Sequence, residues 1–242
     1  MNDFQVFELR RYQIREGERQ HFATYFESYS PEAIQQSGAI VAGAFLERRD
    51  RSAFTWIRGY RDMDDRAKLN AALYYGPVWK EHRATMNGLM THSDNVLLLR
   101  PFNPHRGIDI LPAVDPVQEP GGASGIVVAR MFPVKNNGID EFARRAEPVF
   151  SGFPGAAARE AGLLVTLDMP NNFPQHPIRT DGPWLVWLGI LRDNESFESG
   201  FRDAAEAASQ RLFATGLLRS ETELIVLDPA PRSRMRWLPT WQ

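Results

Sequence analysis

The chain contains no cysteine. That absence removes disulfides, thiolate nucleophiles, cysteine-ligated zinc and iron–sulfur clusters from consideration. Long apolar runs are missing too: no stretch approaches the roughly 18 residues of a membrane span, and Met1-Asn2-Asp3-Phe4 leads straight into a strand-like pattern without the features of a leader. Charge of either sign is balanced, with 28 basic against 30 acidic side chains and a formal net charge of -2. Neither nucleic acid nor an anionic membrane is therefore an expected partner, and a cytoplasmic location is the expectation. No GK[ST] phosphate loop, GxGxxG or GxSxG occurs, which leaves nucleotide binding and serine hydrolysis without a signal. The histidines His21, His82, His92, His105 and His176 form neither an i,i+4 pair nor an HExxH pattern. The sequence predicts no metal site and no cofactor.

What the sequence does contain is an element order written twice. Val6-Phe7-Glu8-Leu9-Arg10-Arg11-Tyr12 lines up with Ile126-Val127-Val128-Ala129-Arg130-Met131-Phe132, which sets Arg10 over Arg130 and Tyr12 over Phe132. Trp56 to Asp62 lines up with Trp187 to Asp193, and Leu97 to Pro101 with Ile225 to Pro229. Self-similarity of this kind predicts two copies of one supersecondary unit.

Periodicity in the first half predicts a strand over 4–12, a helix over 16–30 that Pro31 disturbs, strands over 40–47 and 54–60, helices after Asp62 and from Pro77 to Gly88, and a closing strand over 95–100. The second half predicts strands over 126–132, 163–168, 184–191 and 222–228, with helices over 139–160 and 194–214. The resulting organisation is a first unit over 1–101, a Pro/Gly-rich linker over 102–125, a second unit over 126–229 and an Arg/Trp-rich tail over 230–242. Tryptophans in that tail are costly to leave in water, so it is expected to dock on its own chain or a neighbour. Met169 to Pro183 is long for a connector and carries Asn171, Asn172, His176 and Arg179, which marks it as a possible lid.

The order β-α-β-β-α-β is that of a ferredoxin-like unit, and two of them can pack their open sheet faces together as an α+β barrel. The fold class expected is thus α+β, with tandem ferredoxin-like units and antiparallel sheets packed face to face. Phe7-Glu8-Leu9-Arg10-Arg11-Tyr12, the strand Phe54-Thr55-Trp56-Ile57-Arg58-Gly59-Tyr60 followed by Asp62 and Arg66, and Pro77-Val78-Trp79 resemble the NIPSNAP family of the dimeric α+β barrel superfamily. The resemblance covers residues 4 to 101; the second half keeps the plan but has Val128 for Glu8 and Phe132 for Tyr12. It implies the tandem barrel and a homo-oligomer, and brings no established activity.

Strand alternation puts Glu8, Arg10 and Tyr12 on one face. If Phe7 and Leu9 pack under the helices, that trio points into the barrel and could orient a polar group on an apolar ligand; an internal ion pair is the competing reading. Trp56, Tyr60 and Trp79 are the candidate aromatic wall, Arg130 repeats Arg10, and His82 is a weak candidate for a general base. The leading expectation is a small hydrophobic or aromatic molecule bound in the barrel interior, with a cofactor-free enzyme as one form of it. A non-catalytic interaction or scaffold protein is the alternative. A haem-binding barrel, by resemblance to chlorite dismutase and coproheme-oxidase relatives, ranks behind both.

Overall fold

A computed structural model describes residues 3–104, 107–153 and 158–241; His105 lies outside the described residues. Eight antiparallel strands close into one barrel in the order β1-β3-β2-β8-β5-β7-β6-β4. The first half supplies β1 (Val6–Ile14), α1 (Arg19–Ser37), β2 (Ile40–Glu47), β3 (Ala53–Tyr60), α2 (Met63–Tyr75), α3 (Pro77–Leu89) and β4 (Met90–Pro101). The second supplies β5 (Ile126–Pro133), α4 (Ile139–Phe150), β6 (Ala158–Thr166), β7 (Trp184–Leu191), α5 (Asn194–Ser196), a π-helical stretch at Phe197–Phe201, α6 (Arg202–Phe213) and β8 (Glu223–Pro229). Each half has the β4-β1-β3-β2 type of strand order of a ferredoxin-like sheet. The two sheets face each other across the interior, and they are also sewn together at both edges: β2 pairs with β8 through Phe45, Leu46 and Glu47, and β4 pairs with β6 through Leu99, Arg100 and Pro101. Closure leaves no free sheet edge.

The alternation along β1 is as expected, but its two faces are exchanged. Phe7 and Leu9 point inward and join Ile57, Leu97 and Leu99 from their own half with Val127, Ala129, Met131 and Val186 from the other in one buried cluster. An eight-stranded barrel has just enough interior for side chains to fill it, and here apolar side chains do so. Glu8, Arg10 and Tyr12 instead face outward beneath the helices, where Tyr12 meets Phe22 of α1 and Glu8 meets Arg66 of α2. The expected placement of a ligand among Glu8, Arg10 and Tyr12 inside the barrel is thereby corrected. The only charges on the inward face of β1 sit at its end, where Arg11 donates to Glu47 and Glu223, and Thr55 also donates to Glu47.

Two helix ends differ from expectation for local reasons. α1 runs through Pro31 to Ser37, capped by Gly38 at φ 103°. Proline in a helix interior leaves the carbonyl four residues earlier without its N–H; that carbonyl belongs to Glu27, and the guanidinium of Arg232 in the tail donates to it. α4 ends at Phe150, and Ala158 to Glu160, expected to be helical, open β6. The tail docks on its own chain. Arg236, 1% exposed, donates to Glu119 of the segment between β4 and β5, and Trp237 packs edge-on against Trp241. No helix among the described residues is long and apolar enough to cross a membrane.

Candidate functional site

Glu8 is the hub of the helix-side face of the first half. Pairing of β1 with β3 sets Glu8 opposite Arg58 and Arg10 opposite Trp56. The Asp62 side chain caps α2 by accepting from the Asp65 N–H, which starts that helix where Arg66 reaches the same carboxylate. Glu8 Oε2 accepts from Arg10 at 2.8 Å and from Arg58 at 2.7 Å, and Oε1 accepts from Arg66 at 2.7 Å. Tyr60 donates its hydroxyl to Asn70 at 2.8 Å and stands 3.4 Å from Glu8. Burial pushes the Glu8 carboxyl upward, but the guanidinium groups of Arg58, Arg10 and Arg66 outweigh it and hold the group well below the ordinary carboxylate range. Glu8 and all three arginines are at most 1% exposed. Three guanidinium charges against one carboxylate leave two positive charges in a desolvated place.

Above this hub lies a small cavity of about 70 Å³ between the sheet and the helices, walled by Tyr12, Phe26, Tyr29, Trp56, Trp79 and His176, among others. Its floor is polar. Arg10 Nε donates to the Tyr12 hydroxyl at 2.8 Å, and Arg58 Nη1 donates to the Tyr74 hydroxyl at 3.3 Å. The Trp56 Nε1 donor and the Tyr29 hydroxyl are buried with no partner among the described residues.

The cavity's roof comes from the other half of the chain. The segment between β6 and β7 crosses to α2: Arg66 Nη1 donates to the side-chain oxygens of Asn171 and Asn172, and Asn171 donates in turn to the His176 carbonyl. The His176 ring lies against Tyr74, with centroids 3.9 Å apart, and Nδ1 faces Arg10 Nη2 at 3.5 Å. A guanidinium can only donate, so Nδ1 is the acceptor and the ring proton sits on Nε2. Burial and then the Arg10 and Arg58 charges push His176 down to about 3.

Of the residues singled out in the sequence, Tyr12, Trp56 and Trp79 wall the cavity, whereas Glu8, Arg10 and Tyr60 lie behind that wall in the hub, which Arg10 joins to it through the Tyr12 hydroxyl. His82 does not reach it: the ring stacks on Tyr29 at 3.8 Å and bonds the Tyr25 hydroxyl on the outer side. Arg130 lies in the other half, where Thr222 accepts from Nη2 and burial lowers the guanidinium to about 10. There, among the described residues, aromatic rings occupy the corresponding space. Arg130 pairs opposite Trp187 as Arg10 does opposite Trp56, but Gly189 occupies the position of Arg58, and the Trp187 indole lies over it among Phe150, Phe153 and Phe201. Among the described residues, aromatic side chains line the helix-side face of this half, and its one histidine, His176, sits against the first half, so no histidine there is placed to ligate a haem. Among the described residues no group of three His, Asp or Glu could hold a metal ion.

Arg58, Arg66, Tyr74 and His176 belong to the site without standing out as site residues in the sequence. Arg58 and Arg66 were visible as charges at the two positions that face Glu8 across β3 and α2. His176 was visible only as part of an overlong connector, because its partner is in the other half.

Residues 7–104 match the NIPSNAP family model. Over those residues the chain is similar to the NIPSNAP family. The match ends just after β4, so the hub and the cavity floor are within the matched residues and the roof is outside them. A comparison with curated proteins gives no significant match. Solved structures of similar architecture span the whole chain. An anthrone oxidase-like protein aligns at 15% identity and TM-score 0.60 over 100% of this chain and 98% of its own. A candidate monooxygenase from Fusobacterium nucleatum aligns at 11% identity and TM-score 0.61, covering 98% of each chain. Another, from Lactobacillus acidophilus NCFM, aligns at 12% and 0.57, covering 97% of this chain and 98% of that one. At such identities the likeness is one of fold.

Proposed function

We propose that the protein binds a small planar aromatic molecule on the helix side of its NIPSNAP-like half, between β1/β3 and the helices, with the segment over 169–183 as the roof. The observation that carries this reading is the aromatic cavity with a polar floor. Ligand sites are typically apolar hollows with a few placed polar groups, and the aromatic face of Trp56 with the hydroxyls of Tyr12 and Tyr74 supplies that combination. The barrel itself acts as a rigid scaffold. Because neighbours of the same fold are described as candidate monooxygenases and as anthrone oxidase-like, the enzymatic form of the reading is oxidation of the bound molecule by dioxygen without a resident cofactor, the molecule supplying the electrons, one oxygen atom entering it and the other leaving as water.

The packed barrel interior favours a second reading, in which the chain is a non-catalytic interaction protein. Native mass spectrometry of the gently purified chain separates the two. A co-purifying aromatic compound, lost on substitution Trp56→Leu while the far-ultraviolet circular dichroism is unchanged, is the expected result. An apo mass, with no rise in melting temperature on adding benzoate, 4-nitrophenol or toluene, overturns the ligand reading in favour of the second.

A further inference from the structure

The polar atoms left over around the cavity and its hub can all donate. Among the described residues, Trp56 Nε1, Arg66 Nη2 and Asn70 Nδ2, which can only donate, and the Tyr29 hydroxyl, which can donate or accept, are buried without a partner. The charges tell the same story, because Glu8 neutralises one of three buried guanidinium groups. The other groups bonded to those arginines are neutral: the Tyr12 and Tyr74 hydroxyls, the Asn171 and Asn172 amides and the His176 imidazole. Buried charge without a counter-charge is costly, and buried donors without acceptors are costly as well. Both deficits are met by one thing, an anionic oxygen.

The place for it is the place of an existing acceptor. His176 Nδ1 occupies the open side of Arg10 Nη2 at 3.5 Å, the long limit of a hydrogen bond. Space points to the same substitution. The cavity of about 70 Å³ is well below the roughly 150 Å³ of an engineered cavity that takes benzene, so an aromatic ring enters only if a ring now present leaves. His176 is the wall residue on a connector rather than on a helix or strand.

Building on the aromatic-ligand reading above, we infer that the ligand carries an anionic oxygen, as an aromatic carboxylate or an ionised phenol. It docks on Arg10 beside Trp56 Nε1 in the position now held by the His176 imidazole, and the 169–183 segment yields to admit it. Arg58 and Arg66 supply the remaining positive field, and Trp56 and Tyr74 flank the ring.

The test uses the full chain with benzoate, 4-nitrophenol and toluene, read by tryptophan fluorescence and melting temperature at a pH below the phenol's own pKa. Benzoate or 4-nitrophenol should bind at least tenfold more tightly than toluene, and bound 4-nitrophenol should show the yellow absorbance of its anion. Binding of benzoate alone assigns a carboxylate; binding of the nitrophenolate alone assigns a phenol. His176→Ala should tighten anion binding severalfold, whereas Trp56→Phe, which keeps the aromatic ring but deletes the donor, should weaken it severalfold. Toluene binding as tightly as benzoate overturns the anionic ligand while leaving the aromatic pocket standing. Failure of all three probes removes the pocket reading and this inference together. Anion binding unchanged by His176→Ala and by Trp56→Phe overturns the assigned position.

Discussion

His176 and Arg10 are 166 positions apart, yet Nδ1 of one stands 3.5 Å from Nη2 of the other. The imidazole faces Arg10, Arg58 and Arg66 with Glu8 as the single nearby anion, and Tyr74 and Phe173 flank the ring. Its folded value is lowered to about 3, with burial the first cause. Between that value and the ordinary histidine value the unfolded chain binds a proton that the folded one does not, so docking of the roof is complete above about pH 6.5 and weakens as pH falls. The protection factor for backbone hydrogen exchange over 169–183, taken against the pH-dependent intrinsic rate, should therefore fall between pH 7 and pH 5. In His176→Gln, which has nothing to protonate, it should stay flat across that range.

The Glu8 hub makes the opposite kind of statement about stability. A carboxylate whose folded value is depressed contributes fully above its unfolded value and loses that contribution as pH drops below it. Glu8→Gln leaves three buried guanidinium groups without their counter-charge, and breaking a buried pair from one side costs about 3–5 kcal/mol. Urea denaturation at pH 7 should show a loss of that order. At acid pH, where the wild-type carboxylate begins to protonate, the gap between the two proteins should narrow.

Arg232 and Pro31 form a compensating pair across 201 positions of sequence. The guanidinium donates to the Glu27 carbonyl that Pro31 leaves without a helical N–H. Arg232→Ala should cost about 1–3 kcal/mol, the penalty of an acceptor left unmade. With Pro31→Ala in place the helix supplies its own N–H, so the same substitution should cost less. A double-mutant cycle on urea midpoints measures the coupling; additive effects would mean that Arg232 acts only through its ion pair with Glu32 of α1 and through the tail.

Much of this was legible because it is local. Alternation along β1, the turn after Glu47, the Asp62 cap and the apolar run of β7 each leave a mark within a few residues. Burial on both faces is what blurred the rest. Since Phe7 and Leu9 are as deeply buried as Glu8 and Arg10, period two separates the faces without saying which lies inside the barrel. Volume settles that: the closed interior takes aliphatic and phenyl side chains from both halves, and the gap under the helices takes the longer charged ones. The same limit applied to the site. Glu8, Arg10 and Tyr12 share a strand and could be grouped by inspection, whereas Arg66 and His176 reach them only through tertiary contacts.

The contrast between halves rests on Gly189. A Cβ at this position would overlap the far edge of the Trp187 indole, and that indole is held from its other side by Phe153 and Phe201. The ring is free neither to rise nor to swing. Gly189→Ala should therefore destabilise the chain by about 1–3 kcal/mol, the range for overpacking a filled core. Arg58, at the matching position of the first half, needs no such clearance, because Trp56 stands beside its guanidinium at 5.2 Å rather than over its backbone. If crowding by the indole is the cause, Trp187→Leu should by itself be costly, yet Gly189→Ala added to it should be close to neutral. Thermal unfolding of the four proteins in that cycle checks the point, and an equal cost for Gly189→Ala in both backgrounds would place its origin in the backbone instead.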